Sequence, residues 1–159
     1  PEMVSKAREN ASAIGYDNVE FILGDIENMP VENDTADVVV SNCVLNLVPD
    51  KRAVFHEIFR VLKPGGHFSI SDVVLIGDLP GSLKEDAEMY AGCVSGAVQK
   101  SEYMGLIEDS GFRNITVQKE RAVYIPDDIL LKYLKQEDLD FFRNGRTGIF
   151  SITVYAEKP

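Results

Sequence analysis

The two cysteines of this 159-residue chain, Cys43 and Cys93, stand fifty positions apart (93 − 43 = 50). That spacing is neither a disulfide framework nor a C-x-x-C metal knuckle, and an isolated thiol most often ends as a small buried hydrophobe. Their chemistry has to come from context. Three short runs collect polar groups: Gly24-Asp25-Ile26-Glu27, Ser41-Asn42-Cys43 and Ser71-Asp72. In Asp25-Ile26-Glu27 a carboxylate beside a branched apolar side chain suits a nucleoside, with the carboxylate accepting from an adenine amino group and Ile26 packing on the purine face. The competing reading is an Asp that caps the turn after a strand.

Each polar run closes a segment of strand character. Val19 to Gly24 and Thr35 to Ser41 are short β-rich runs, the second continuously apolar at its centre, and both are expected as buried parallel strands. His67 to Ile76 is a third. In an open parallel sheet the carboxyl ends of the strands line one crevice, so a composite site is expected there. The helices that space these strands are read from 3.6-residue periodicity. Met3 to Ile14 carries Met3, Val4, Ala7, Ala11 and Ile14 on one stripe before Gly15. Asp50 to Leu62 carries Val54, Phe55, Ile58, Val61 and Leu62, with Asp50 as N-cap and Lys63-Pro64-Gly65-Gly66 as stop. Leu83 to Cys93 and Lys100 to Ser110 are two further helices. Arg113 to Tyr124 and Gly148 to Glu157 flank a polar, helix-prone stretch from Pro126 to Asn144 and are expected to pair antiparallel at one sheet edge. Strand and helix alternate as in α/β layering, and no repeat or linker divides residues 1–159, so one domain is expected.

Composition narrows the function classes. A hydrophobic content of 45% is enough for one sizeable core. The formal net charge of −10 argues against DNA, RNA or anionic lipid as partners, because phosphate binding needs clustered Lys and Arg. No apolar run approaches the roughly twenty residues that span a bilayer. The start, Pro1-Glu2-Met3-Val4-Ser5, lacks the blocks of a signal peptide and reads like a chain entered midway. A cytoplasmic protein without a membrane partner is expected.

Phe21-Ile22-Leu23-Gly24-Asp25, followed by Phe55-His56-Glu57-Ile58-Phe59-Arg60-Val61-Leu62-Lys63-Pro64-Gly65-Gly66, resembles the middle motifs of class I S-adenosylmethionine-dependent methyltransferases. Leu-Lys-Pro-Gly-Gly before a strand is the most specific piece. From Pro1 to Glu157 the order of elements is similar to that fold from its second helix onward. The resemblance implies a Rossmann-like sheet lacking its first strands, mostly parallel with a C-terminal antiparallel hairpin. The family's first strand, its Gly-x-Gly-x-Gly loop and the acidic end of its second strand have no counterpart here. Those elements cradle the methionine end of the cofactor and hold its ribose, so this partial domain by itself is expected to bind S-adenosylmethionine weakly or not at all.

Ser41-Asn42-Cys43-Val44-Leu45-Asn46-Leu47-Val48-Pro49-Asp50-Lys51 and Ala91-Gly92-Cys93-Val94-Ser95-Gly96-Ala97 resemble motifs of the arsenite methyltransferases. That resemblance implies that Cys43 and Cys93 are the thiols that bind trivalent arsenic. Thiolates suit a soft thiophilic centre, and two of them leave its lone pair free to attack a methyl sulfonium. It further implies that Asp25, Ile26 and Glu27 contact adenosine, and Asn42 the region near the methionine. The substrate would be arsenite or its thiol conjugate, with a thiol reductant as a further partner. Gly92 departs from the acidic residue common there, and the family's more N-terminal cysteines have no counterpart in this chain.

Two other readings stay open. One is a methyltransferase of the same fold acting on carbon or oxygen of a small metabolite such as a quinone precursor. The other is a noncatalytic unit that associates, with another copy or a further segment, through exposed sheet edges. His56, inside a helix, and His67, opening a strand, have no partners at triad or metal spacing and read as structural. Glu137-Asp138-Leu139-Asp140 reads as a solvated helix face, since the spacing and glycine of a calcium loop are missing. Tyr90, Tyr103 and Tyr124 are candidates for a pocket lining or for ordinary core and rim positions.

Overall fold

Strand β2 (Leu62–Ile76) organises the fold, because it is bonded on both edges, buried on alternate residues from Gly66 to Asp72 and buried on both faces from Asp72 to Leu75. The computed structural model describes residues 2–79, 94, 96–132, 135, 136, 139, 143, 144 and 147–159. The expected helix from Leu83 to Cys93, with Tyr90, lies outside the described residues, as does most of the acidic run at 137–140. In chain order the other elements are α1 (Glu2–Ala13), β1 (Ala36–Asn42), a 3-10 turn (Leu45–Leu47), α2 (Lys51–Val61), α3 (Lys100–Asp109), β3 (Arg113–Ala122), a single turn α4 (Asp127–Leu130) and β4 (Gly148–Glu157).

The sheet order is β1-β2-β4-β3. β1 runs parallel to β2, with Val38 opposite His67 and Asn42 opposite Ser71. β4 lies antiparallel to β2 and to β3, so the expected C-terminal hairpin forms and the four-stranded sheet is mixed. Period-two alternation sends Phe68, Ile70 and Val74 to one face. There they join Val54, Phe55 and Ile58 of α2 and Tyr103 and Ile107 of α3 in the main core. Val73 and Leu75 point the other way and pack with Val94, Ala97, Ile125, Leu130, Leu139 and Ile149.

The α2 boundaries follow from side-chain chemistry. Asp50 accepts from the Ala53 N–H at 3.1 Å, the cap read from the sequence. At the other end the Lys158 ammonium donates to the carbonyls of Phe59 and Leu62 at 2.8 and 2.7 Å, where free carbonyls and the helix dipole favour a cation. β2 begins directly at Leu62 rather than at His67. Gly66 passes so near β1 that an added Cβ would lie 2.9 Å from the Asp37 carbonyl oxygen, so glycine is required for the strands to meet.

Two expectations need correction. Residues 19–24 are not a buried strand: they form no ladder, and Val19, Ile22 and Leu23 are exposed. A strand exists through its neighbour's hydrogen bonds, and among the described residues none stands beside this segment. β1 is likewise covered on one face only. Val39 packs against the main core under the helices, whereas Val38 and Val40 are 49% and 75% exposed on the face that no described element covers.

Candidate functional site

β1 ends at Asn42, and Cys43 turns the chain out of the sheet in a left-handed conformation, φ +55°. A residue with a Cβ is strained there, so something must hold it. The Cys43 N–H donates to the Ser71 carbonyl at 2.9 Å, extending the β1–β2 ladder by one bond. Its sulfur lies 3.5 Å from Oδ1 of the exposed Asn42, and the residue is half-buried. The 3-10 turn follows, with Leu45 and Asn46 buried. Asn46 Nδ2 donates to the Val73 carbonyl at 2.7 Å.

Between those two anchors sits Asp72, only 1% exposed. Its Oδ1 accepts from the Val73 N–H at 3.0 Å, and Oδ2 accepts a long 3.5 Å bond from the Tyr103 hydroxyl. Burial pushes the Asp72 carboxyl up to about 6, against the pull of the Val73 N–H, the nearby Lys51 ammonium and Tyr103. Burial first, and then the Asp72 charge, raise the Tyr103 hydroxyl well above its ordinary range. Three successive β2 residues are thus tied to the segment from Cys43 to Lys51: the Ser71 carbonyl holds Cys43, Asp72 attracts Lys51 and the Val73 carbonyl holds Asn46.

The acidic turn is fastened to the same region by a different route. Asp25 is exposed, and its Oδ1 accepts from the Glu27 N–H at 3.0 Å, so the turn-capping reading accounts for one of its oxygens. Ile26 is half-buried against the main core. Glu27 Oε1 accepts from the Asp50 N–H at 2.8 Å, which ties the turn to the start of α2. Beyond it, Arg60 donates to the Met29 and Val31 carbonyls at 2.9 and 2.7 Å, and Glu57 accepts from the Met29 N–H at 2.7 Å. The Arg60 guanidinium bonded to Glu57 holds that carboxyl below its ordinary range.

The structure therefore brings Asn42 and Cys43 to Ser71 and Asp72, and joins Asp25, Ile26 and Glu27 to α2. Cys93 lies outside the described residues. Described residues resume at Val94, and Gly96 lies directly on Asn46: an added Cβ there would stand 1.9 Å from the Asn46 carbonyl oxygen. Grooves elsewhere are lined by Arg8, Ser12 and Tyr16 near α1, and by Leu75, Gln99 and Met104 beside α3. Neither includes a residue singled out as a site from the sequence.

Comparison with known proteins decides the family. Residues 1–111 match the family described as "Methyltransferase domain". The chain belongs to that family. This methyltransferase domain is 38% identical over all 159 of its residues to the arsenite methyltransferase of Halobacterium salinarum, and it spans 38% of that relative's length. It is 42% identical over 98 residues, 60% of the chain and 26% of the relative, to the arsenite methyltransferase of Homo sapiens. Among solved structures it resembles an arsenic(III) S-adenosylmethionine methyltransferase from Chlamydomonas reinhardtii, with a TM-score of 0.68 and 30% identity. That match covers 93% of this chain and 48% of the other. YcgJ of Bacillus subtilis, with a TM-score of 0.77 and 21% identity over 99% of this chain and 78% of its own, shares the fold. The Rossmann-like class I methyltransferase fold expected from the sequence is the one observed.

Within the methyltransferase domain, reasoning from the sequence missed Lys51 and read Tyr103 only as a pocket or core aromatic. Asp72 was noticed as polar but given no role. The available signal was a carboxylate at position 72 in phase with the apolar Phe68, Ile70 and Val74, since such a group needs partners when buried. Tyr103 comes from 31 positions away. His56 is exposed on α2, and His67 stacks on Tyr155 with ring centroids 5.1 Å apart, in keeping with structural roles. Tyr124 is exposed under the Arg143 guanidinium, 4.7 Å from its ring centroid.

Proposed function

We propose that this domain serves S-adenosylmethionine-dependent methyl transfer to trivalent arsenic, with Cys43 and Cys93 as the arsenic-binding thiols. The observation that carries the reading is the Gly96–Asn46 contact. Asn46 follows Cys43 by three positions, and Gly96 follows Cys93 by three. The residues three positions after each cysteine thus touch, and that contact supports a centre shared between the two sulfurs. The likeness to relatives named for arsenite methylation supports the substrate class.

Asp25, Ile26 and Glu27 are assigned to the adenosine end of the cofactor and Asn42 to the region near its methionine. The donor set fits a nucleoside, because Asp25 is an exposed carboxylate on a turn that Glu27 fastens to α2, and Asn42 is an exposed amide beside Cys43. The cofactor, when bound, supplies a methyl group on a sulfonium. The chain's own part is to hold arsenic through sulfur with its lone pair directed outward. Methyl transfer to an arsenic lone pair takes no proton from the substrate, so no general base is needed. Because the transfer raises arsenic by two oxidation units, a thiol reductant would supply the two electrons that return it to the trivalent state.

The test uses the full-length protein. Cys43→Ser and Cys93→Ser are each expected to lower arsenite methylation by at least about a hundredfold, the scale on which misplaced reacting groups lose rate. Parental rates in either variant would refute the thiol assignment. Retained methylation of a phenol or quinol with no arsenite turnover would favour the small-metabolite reading instead.

A further inference from the structure

The backbone at Cys43 is left-handed, a conformation that a side chain resists and that local sequence does not impose. It is held through the turn that follows. Asn46, 4% exposed, grips the Val73 carbonyl with its amide at 2.7 Å. From the opposite side the Gly96 backbone lies against the Asn46 main chain. A Cβ at Gly96 would stand 1.9 Å from the Asn46 oxygen, 2.8 Å from its carbonyl carbon and 3.2 Å from its Cα. No side chain fits there without moving backbone. Gly96 cannot easily yield, because Val94 and Ala97 on either side are 0% and 4% exposed in the second core cluster, and Val98 is bonded to Leu75 of β2 at 2.9 Å.

We infer that Asn46 and Gly96 are positioning residues for Cys43: Gly96 seats the Asn46 main chain, the Asn46 amide grips β2, and together they fix the turn that presents the thiol. The inference rests on the proposed role of Cys43 as an arsenic ligand. Neither residue touches arsenic. Their effect is on where the sulfur stands, so it differs from the general contribution of a buried residue to stability.

The probe is sodium arsenite, and the readout is its affinity for the full-length protein, measured by calorimetry on variants whose circular dichroism is parental. Gly96→Ala is expected to weaken arsenite binding by about tenfold or more, a change of roughly 1.4 kcal/mol, because the Asn46 main chain must shift to admit the new Cβ and carries the turn with it. Gly105→Ala, where an added Cβ meets nothing within 4 Å, is expected to keep parental affinity. So is Ile107→Val, which thins the buried core away from the turn. Parental affinity in a folded Gly96→Ala protein overturns the inference. Should Gly96→Ala fail to fold, Asn46→Ala decides the matter on the same scale. The underlying reading fails separately: if Cys43→Ser binds arsenite as the parent does, the thiol role is wrong and the inference falls with it. Loss in Cys43→Ser without loss in Gly96→Ala removes only the inference.

Discussion

The Tyr103 hydroxyl on α3 reaches across the main core to Asp72 Oδ2 on β2, 3.5 Å away, and both groups are buried. Tyr103 itself is fixed by an edge contact with Phe55 of α2, ring centroids 5.4 Å apart. The pair joins the strand that ends in the candidate site to both helices that cover it.

A pH dependence follows from the Asp72 carboxyl. Burial raises it to about 6 in the folded chain, whereas an unfolded Asp ionises near 3.9. Between those values the folded state holds a proton that the unfolded state has lost, so the group's stabilisation is greatest in acid and declines as pH rises through this window. The decline amounts to roughly 3 kcal/mol, taking about two pKa units at 1.36 kcal/mol each. Urea unfolding from pH 3 to 7 should show the parent losing stability relative to Asp72→Asn by about that amount. A difference that stays flat across the window would rule this out.

Backbone strain at Cys43 predicts a split between stability and binding. At φ +55° a Cβ costs roughly 1–2 kcal/mol, which glycine avoids. Glycine gives back roughly 0.5–1 kcal/mol through the entropy of the unfolded chain. Cys43→Gly should therefore be more stable than Cys43→Ala by up to about 1 kcal/mol, while both lose arsenite binding. A Cys43→Gly variant less stable than Cys43→Ala would show that the turn carries no such strain.

Lys158 provides the contrast of a residue important for the fold and remote from the chemistry. Its ammonium, 12% exposed, bonds Asp34 Oδ1 at 2.6 Å as well as the two carbonyls at the end of α2, and lies 4.8 Å from the Phe59 ring centroid. Lys158→Met should lower stability by about 1–2 kcal/mol through the uncapped helix end. Arsenite affinity at 25 °C should stay within about twofold, equivalent to roughly 0.4 kcal/mol. A large loss of affinity in a folded variant would mean that the α2 terminus communicates with the site.

Local rules served well where one segment's chemistry suffices. Asp50 caps α2 because a carboxylate followed by Val54, Phe55 and Ile58 at helical spacing satisfies the first N–H groups and buries one face. They served less well at Val19 to Leu23, whose β-branched and apolar residues promise a strand but whose ladder depends on a neighbour. The two readings of Asp25 were both visible beforehand, and the Glu27 N–H bond shows that turn capping engages one oxygen.

The order of helices and strands, the Pro-Gly-Gly entry to β2 and the placing of Cys43 after an apolar strand all follow from periodicity and turn chemistry, which act over a few residues. Pairing β1 with β2 is what sets Cys43 on Ser71, and the packing of α3 on β2 brings Tyr103 to Asp72. The seat of Gly96 on Asn46 joins positions fifty apart. Such contacts depend on sheet register and close packing, which combine residues distant in the chain, and no spacing within a single segment encodes them.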